Sequence, residues 1–307
     1  MTPFSFSKIA TIVALTTLTA CANTQGDTTA DTTPVTTSAS VTTAGSNAAT
    51  LDSILATQDD AAKQRYQYRN PKETLQFFGI EPGMTVVEVL PGGGWYTKIL
   101  LPYLGSEGMV IGADYPLTLW NNFSWMTPER LEAKKTWTTE WVSQASEWRG
   151  DNSAQLAAFQ FADMPAEMQG TADAVLFIRA LHNLHRFEEK SGYLTTAMAE
   201  SFAALKPGGT LGVVQHQASE DQPDSWADGN NGYLKQSRIT EIATAAGFEF
   251  VAQSAINNNA KDQAVEGDNV WRLPPALSGA KDDPVKKAAA EAIGESNRMT
   301  LKFRKPV

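Results

Sequence analysis

Three acidic residues stand at or just beyond the ends of apolar runs. Glu88 lies in Val86-Val87-Glu88-Val89-Leu90, Asp114 closes Met109-Val110-Ile111-Gly112-Ala113, and Asp163 follows Ala157 to Phe161. The first run breaks into Pro91-Gly92-Gly93-Gly94 and resumes as Trp95-Tyr96-Thr97-Lys98-Ile99-Leu100-Leu101. That order reads as a buried strand, a Gly-rich turn and the start of a helix with an apolar face. Glycine admits positive φ and lets a ligand come close to the backbone. A carboxylate at a strand end can accept hydrogen bonds from sugar hydroxyls. The chemistry expected is that of a nucleotide-type cofactor site in an α/β protein.

The chain has three histidines, His182, His185 and His216. All follow the fourth or fifth predicted strand, so all are expected at one edge of the same cleft. One reading makes His182 or His185 a general base toward a substrate proton. A second uses the imidazoles as metal ligands, with His182 and His185 at i, i+3 needing a helical turn to converge. A third leaves them as satisfied polar groups. Arg179, just before them, either holds a carboxylate or pairs with a surface acid.

The elements that must position these groups alternate. Strands are predicted over 85–90, 109–114, 157–161, 173–178, 210–214, 248–254 and 298–303. Helices are predicted over 95–104, 188–205 and 234–246, after two shorter ones between Leu51 and Phe78. Strand, helix and strand within about thirty residues form a right-handed βαβ unit. The series predicts a doubly wound sheet. Residues 116–150 interrupt it with Trp120, Trp125, Trp137, Trp141 and Trp148. Trp137, Trp141 and Trp148 share one helical face, which reads as an aromatic stripe packed on the body or as a lid over the cofactor.

These motifs resemble the class I S-adenosylmethionine-dependent methyltransferases over about residues 60–307. Glu88 with Gly92, Gly93 and Gly94 is similar to the family's first motif, and Asp114 to its ribose-binding acid. Asp163 before Met164-Pro165 is similar to the residue that reads the adenine amine. Leu205-Lys206-Pro207-Gly208-Gly209 is similar to the family's turn before strand five, and the last two strands to its reversed terminal hairpin. The resemblance implies a Rossmann-like methyltransferase sheet, S-adenosylmethionine as cofactor and a small-molecule acceptor. It also implies cofactor contacts from Glu88, Gly92, Gly93, Gly94, Asp114, Asp163, Met164 and Arg179, with His182, His185 and His216 facing the acceptor. The family pattern has glycine two residues after the first acid, whereas this chain has Leu90. With Arg69-Asn70-Pro71 and Lys302-Phe303-Arg304-Lys305-Pro306, that departure resembles a bacterial subgroup of exported predicted methyltransferases. A nicotinamide enzyme would put its third glycine at Thr97, and a threonine there does not serve tight helix packing.

At the amino terminus, Lys8 precedes the apolar run Ile9 to Leu18, which ends at Leu18-Thr19-Ala20-Cys21. This segment resembles a lipoprotein signal peptide over 1–20, implying acylation of Cys21, the only cysteine. The run is too short to be a permanent membrane span. Ala22 after the cysteine implies the outer rather than the inner membrane, so the expected location is the cell envelope. Residues 21–50 are a Thr/Ala/Ser tether without apolar periodicity, and 51–307 form the folded domain. A formal charge of −9 opposes nucleic acid as a partner. S-adenosylmethionine is made in the cytoplasm, so export leaves two further readings open. One is a non-catalytic envelope protein that keeps the fold; the other is a metal- or NAD-dependent enzyme. Oligomeric state has no signature in the sequence.

Overall fold

The computed structural model describes residues 51–307. The predicted signal segment, Cys21 and the tether lie outside the described residues.

The described chain opens on helix α1 (51–57), then the short α2 (Asp60–Lys63), α3 (Tyr66–Arg69) and α4 (Pro71–Phe78). Asn70, at φ 38°, turns the chain from α3 into α4, and Pro71 supplies the preset φ of a first helical residue. Gly79, at φ 76°, ends α4. Strand β1 (Thr85–Val89) leads into the glycine turn and α5 (Thr97–Leu104), and β2 (Met109–Asp114) completes the first βαβ unit. The tryptophan-rich segment forms α6 (Leu117–Trp120), α7 (Pro128–Lys135) and α8 (Trp137–Ser146) ahead of β3 (Gln155–Gln160). Then come β4 (Ala172–Ile178), α9 (Leu181–Arg186), α10 (Glu188–Ser191), α11 (Tyr193–Ala204) and β5 (Leu205–Ala218). The remainder is β6 (Leu234–Lys235), α12 (Gln236–Ala245), β7 (Glu249–Ser254), α13 (Pro284–Ile293) and β8 (Arg298–Arg304).

The sheet order is β3-β2-β1-β4-β5-β8-β7, with β6 paired to the end of β5. Strands β1 to β5 are parallel, and β8 runs antiparallel between β5 and β7. This is the predicted doubly wound Rossmann-like sheet with its reversed terminal hairpin. Along β1, Val87 and Val89 point into one apolar cluster and Val86 into the cluster on the other face. Both faces are covered, which is why the parallel strands read as nearly continuous apolar runs. The order reverses between β1 and β4, and crevices form beyond the carboxyl ends of strands at such a point.

Three elements differ from expectation. The helix predicted over 188–205 is divided at Gly192, whose φ of 61° separates α10 from α11. Strand β5 starts at Leu205, so the predicted turn through Gly209 is taken into the sheet with a register shift opposite Ala172 and Ala174. Leu234 and Lys235 are a strand rather than the first turn of α12, because they pair with Gln217 and Ala218. No described helix is long and apolar enough to cross a membrane.

Candidate functional site

The acid of the first motif is buried. Glu88 is 4% exposed, and Thr97 at the start of α5 donates a 2.6 Å hydrogen bond to its Oε2. Burial pushes the carboxyl up to about 8, only partly offset by Thr97. Glu88 is therefore chiefly a neutral acid at pH 7. Thr97, which stands where a nicotinamide fingerprint needs its third glycine, serves instead to hold Glu88.

The turn after β1 keeps the backbone path of a glycine without the glycine. Leu90 sits at φ 53°, a left-handed conformation that costs a branched residue of order 1 kcal/mol or more. Its N–H is fixed by the Ala113 carbonyl at 2.7 Å. Gly92 and Gly93 are exposed, and a Cβ on Gly93 would meet no atom within 4 Å. Gly94 is different. It is buried at φ 77°, and a Cβ there would lie 2.2 Å from the Trp148 ring.

The second acid is also engaged. Asp114 is fully buried at the end of β2, where Oδ1 accepts from the Tyr115 N–H at 2.9 Å and Oδ2 from Lys134 Nζ at 2.7 Å. Burial raises its carboxyl, opposed by the Lys134 charge. Lys134 reaches it from the last turn of α7 and lies 3.9 Å from the centroid of Trp120. On α8, Trp141 packs on the bare face of Gly112 and stacks at 5.8 Å on Trp137. The tryptophan segment thus behaves as an aromatic stripe packed on the body. Trp148, past the end of α8, covers the glycine turn.

The third acid stands apart. Asp163 is exposed beyond β3, while Met164 is half-buried against the apolar cluster. Glu88 and Asp114 are enclosed and engaged by Thr97 and Lys134, whereas Asp163 is exposed, so the three strand-end acids differ in environment. Glu88 pairs with Gly112, two residues before Asp114, so these two acids lie on the same face of the sheet, where Thr97 covers one and Lys134 the other.

The cavity that the sheet does form has a volume of about 280 Å³ and lies at the carboxyl ends of β1, β4 and β5. Leu90, Arg179, His182 and His216 line it with Trp271, Glu295, Ser296 and Arg298. Arg179, like Leu90, has positive φ, at 61°, so the two strand ends flanking the switch point are both strained. His182 and His216 stand 5.6 Å apart, ring to ring. Ser296 Oγ is 2.6 Å from His216 Nδ1. Burial lowers His182 to about 4 and drives His216 well below the usual imidazole range, with nearby arginines adding to both. Neutral imidazoles this weakly basic are hydrogen-bonding groups rather than proton acceptors near pH 7.

His185 does not join them. Its Nδ1 lies 2.7 Å from the Asp228 carbonyl, and Arg238 Nε donates to its Nε2 at 3.2 Å. It lines a separate cavity beside α12. On α9 positions i and i+3 are offset by about 60° around the helix axis, and the rings part, His182 toward Gln215 and His185 toward Asp228 and Arg238. The three imidazoles do not converge, and among the described residues no group of three His, Cys, Asp or Glu side chains is arranged to hold a metal.

Sequence reasoning missed Glu295, Ser296, Arg298 and the wall from Val270 to Ala276. Arg298 was legible only as the first residue of the last strand, and Gly294-Glu295-Ser296 has no periodicity to mark it.

S-adenosylmethionine, the group the resemblance implies, fits the donor types present. Asp114 Oδ2 suits a diol, and the exposed Gly92-Gly93 backbone suits an amino-acid tail. Lys134 now occupies Asp114 Oδ2, and Trp148 packs on Gly94.

No family model and no curated protein matches the chain. Among solved structures, a SAM-dependent methyltransferase from Aquifex aeolicus is 14% identical, over 83% of this chain and 98% of that one, at a TM-score of 0.44. A 1,6-didemethyltoxoflavin-N1-methyltransferase from Burkholderia thailandensis, with S-adenosylhomocysteine bound, is 12% identical over 85% and 87%, at 0.43. The [4+2]-cyclase SpnF is 17% identical over 78% and 80%, at 0.45.

Proposed function

We propose that this chain is an S-adenosylmethionine-dependent methyltransferase acting on a small molecule. The observation that carries the reading is strand β8, antiparallel between β5 and β7 in an otherwise parallel sheet. The dinucleotide-binding order 3-2-1-4-5-6 has no such reversed strand. Asp114 would accept the ribose diol, Gly92 and Gly93 the amino-acid tail, and Asp163 with Met164 the adenine. Glu88, held neutral, would brace the turn from behind through Thr97. The cofactor supplies an electrophilic methyl group; in-line transfer then depends mainly on positioning. Arg179, His182 and His216 would position the acceptor.

Titration calorimetry tests this. S-adenosylhomocysteine should bind at micromolar concentrations and lose binding in Asp114→Asn, while NAD should not bind. Binding of NAD in place of S-adenosylhomocysteine would reverse the assignment.

A second reading is favoured by Lys134 on Asp114 and Trp148 on Gly94: a non-catalytic protein that keeps the fold with its cofactor crevice filled by its own side chains. Under it, S-adenosylhomocysteine binds neither the native chain nor one in which Lys134 has been removed.

The location belongs to the same proposal. The Leu18-Thr19-Ala20-Cys21 pattern supports a lipid anchor at Cys21 on an exported chain in the cell envelope. Incorporation of a labelled fatty acid that persists in Cys21→Ser would remove that part.

A further inference from the structure

The cavity at the ends of β1, β4 and β5 is surrounded by an excess of positive charge. Four guanidiniums, those of Arg65, Arg69, Arg179 and Arg298, converge on the single carboxylate of Glu295. Arg65 Nε donates to Glu295 Oε1 at 2.6 Å and Arg69 Nε to Oε2 at 3.2 Å, and Arg298 Nη2 also donates to Oε2. Arg179 is left out. Its Nη1 is 4.0 Å from Glu295 Oε2, beyond hydrogen-bond distance, and it makes no side-chain hydrogen bond to any described residue. The buried Nε of Arg298, a residue 2% exposed, also has no partner. Both arginines line the cavity, together with the apolar side chains of Trp271, Leu273 and Pro274.

A guanidinium that shares one distant carboxylate with three others and makes no hydrogen bond to it favours a further anion, and its planar fork matches a carboxylate or phosphate. Consistent with missing negative charge, burial and the neighbouring arginines drive Arg179 well below its ordinary range. Leu90 and Arg179, both at positive φ, line this space.

We propose that this cavity binds a small molecule with an oxyanion head, carboxylate or phosphate, on Arg179 and Arg298, and with an apolar body against Trp271. Its identity as the methyl acceptor rests on the methyltransferase reading; recognition of the head group does not.

The full chain is titrated with benzoate, phenyl phosphate and neutral benzamide, following tryptophan fluorescence, and separately with S-adenosylhomocysteine. Benzoate or phenyl phosphate should bind roughly tenfold or more tighter than benzamide, and the stronger of the two names the head group. Arg179→Gln should erase that preference. Rising chloride should weaken the anionic probe alone on the native chain, which keeps the test open if the variant misfolds. Equal binding of benzamide, a preference that survives Arg179→Gln, or a loss confined to S-adenosylhomocysteine would overturn the proposal. Anion binding without S-adenosylhomocysteine binding would uphold this site and end the methyltransferase reading.

Discussion

Lys134 holds its ammonium 2.7 Å from Asp114 Oδ2, on the carboxylate whose position at the end of β2 suits a ribose diol. The pair is mostly enclosed, with side-chain exposures of 19% and 1%. A long, flexible lysine is an occupant that a ligand can exchange. Its removal has opposite effects on stability and on binding.

Lys134→Met should destabilise the fold by about 3 kcal/mol, because it strands a buried carboxylate. The same change should tighten S-adenosylhomocysteine by roughly tenfold, since the diol no longer competes with an ammonium. Thermal unfolding and calorimetry on the two proteins check both effects. Weaker binding in the variant would mean that Lys134 helps to hold the ligand.

Gly93 and Gly94 should respond very differently to a methyl group. Gly93→Ala meets open space and should change stability by less than about 0.5 kcal/mol. Gly94→Ala combines φ 77° with a 2.2 Å clash on Trp148 and should cost about 2–3 kcal/mol. Trp148→Ala made together with it should recover part of that loss in a double-mutant cycle. Additive losses, read by urea unfolding, would mean that the indole does not press on the glycine.

Glu88 makes stability fall as pH rises. Its carboxyl moves from 4.5 to about 8 on folding, so between those values the folded state binds more protons than the unfolded. The penalty is absent below about pH 4.5 and complete above about pH 8, on the order of 5 kcal/mol. Glu88→Gln keeps a partner for the Thr97 hydroxyl and should flatten this limb. Chemical unfolding at several pH values provides the measurement, and an unchanged slope in the variant would assign the proton elsewhere.

Much of this architecture is readable from local pattern. The parallel strands are apolar runs bounded by turn residues, and Arg298 to Phe303 reads as a strand, while its reversed direction is implied only by the family resemblance. Leu90 tested the reading most, since a leucine stands where glycine is usual, and the chain adopts φ 53° there all the same. What local pattern cannot carry is contact across distance. Lys134 lies 20 residues from Asp114, and Arg69 lies 226 from Glu295. Neither pair leaves a periodic trace, so the Lys134–Asp114 pair and the arginine cluster emerge only from the fold. His185 was grouped with His182 by spacing, yet its ring turns to Asp228 and Arg238.

Glu295 should set the acid limit of the fold and, through it, reveal the charge of the cavity. Burial alone would raise its carboxyl, but Arg298, Arg69, Arg65 and Arg179 together lower it from 4.5 to about 2. A lowered carboxyl stabilises the fold above its unfolded value and loses that contribution as pH falls from about 4.5 through about 2, on the order of 3 kcal/mol. Glu295→Gln leaves four guanidiniums without a counter-charge and should cost about 3–5 kcal/mol at neutral pH while removing this acid limb. Phosphate added to the variant should restore thermal stability more than it raises that of the native protein, because a bound anion takes up the charge that Glu295 had balanced. Equal shifts in the two proteins would mean that the four arginines present no excess charge to a ligand.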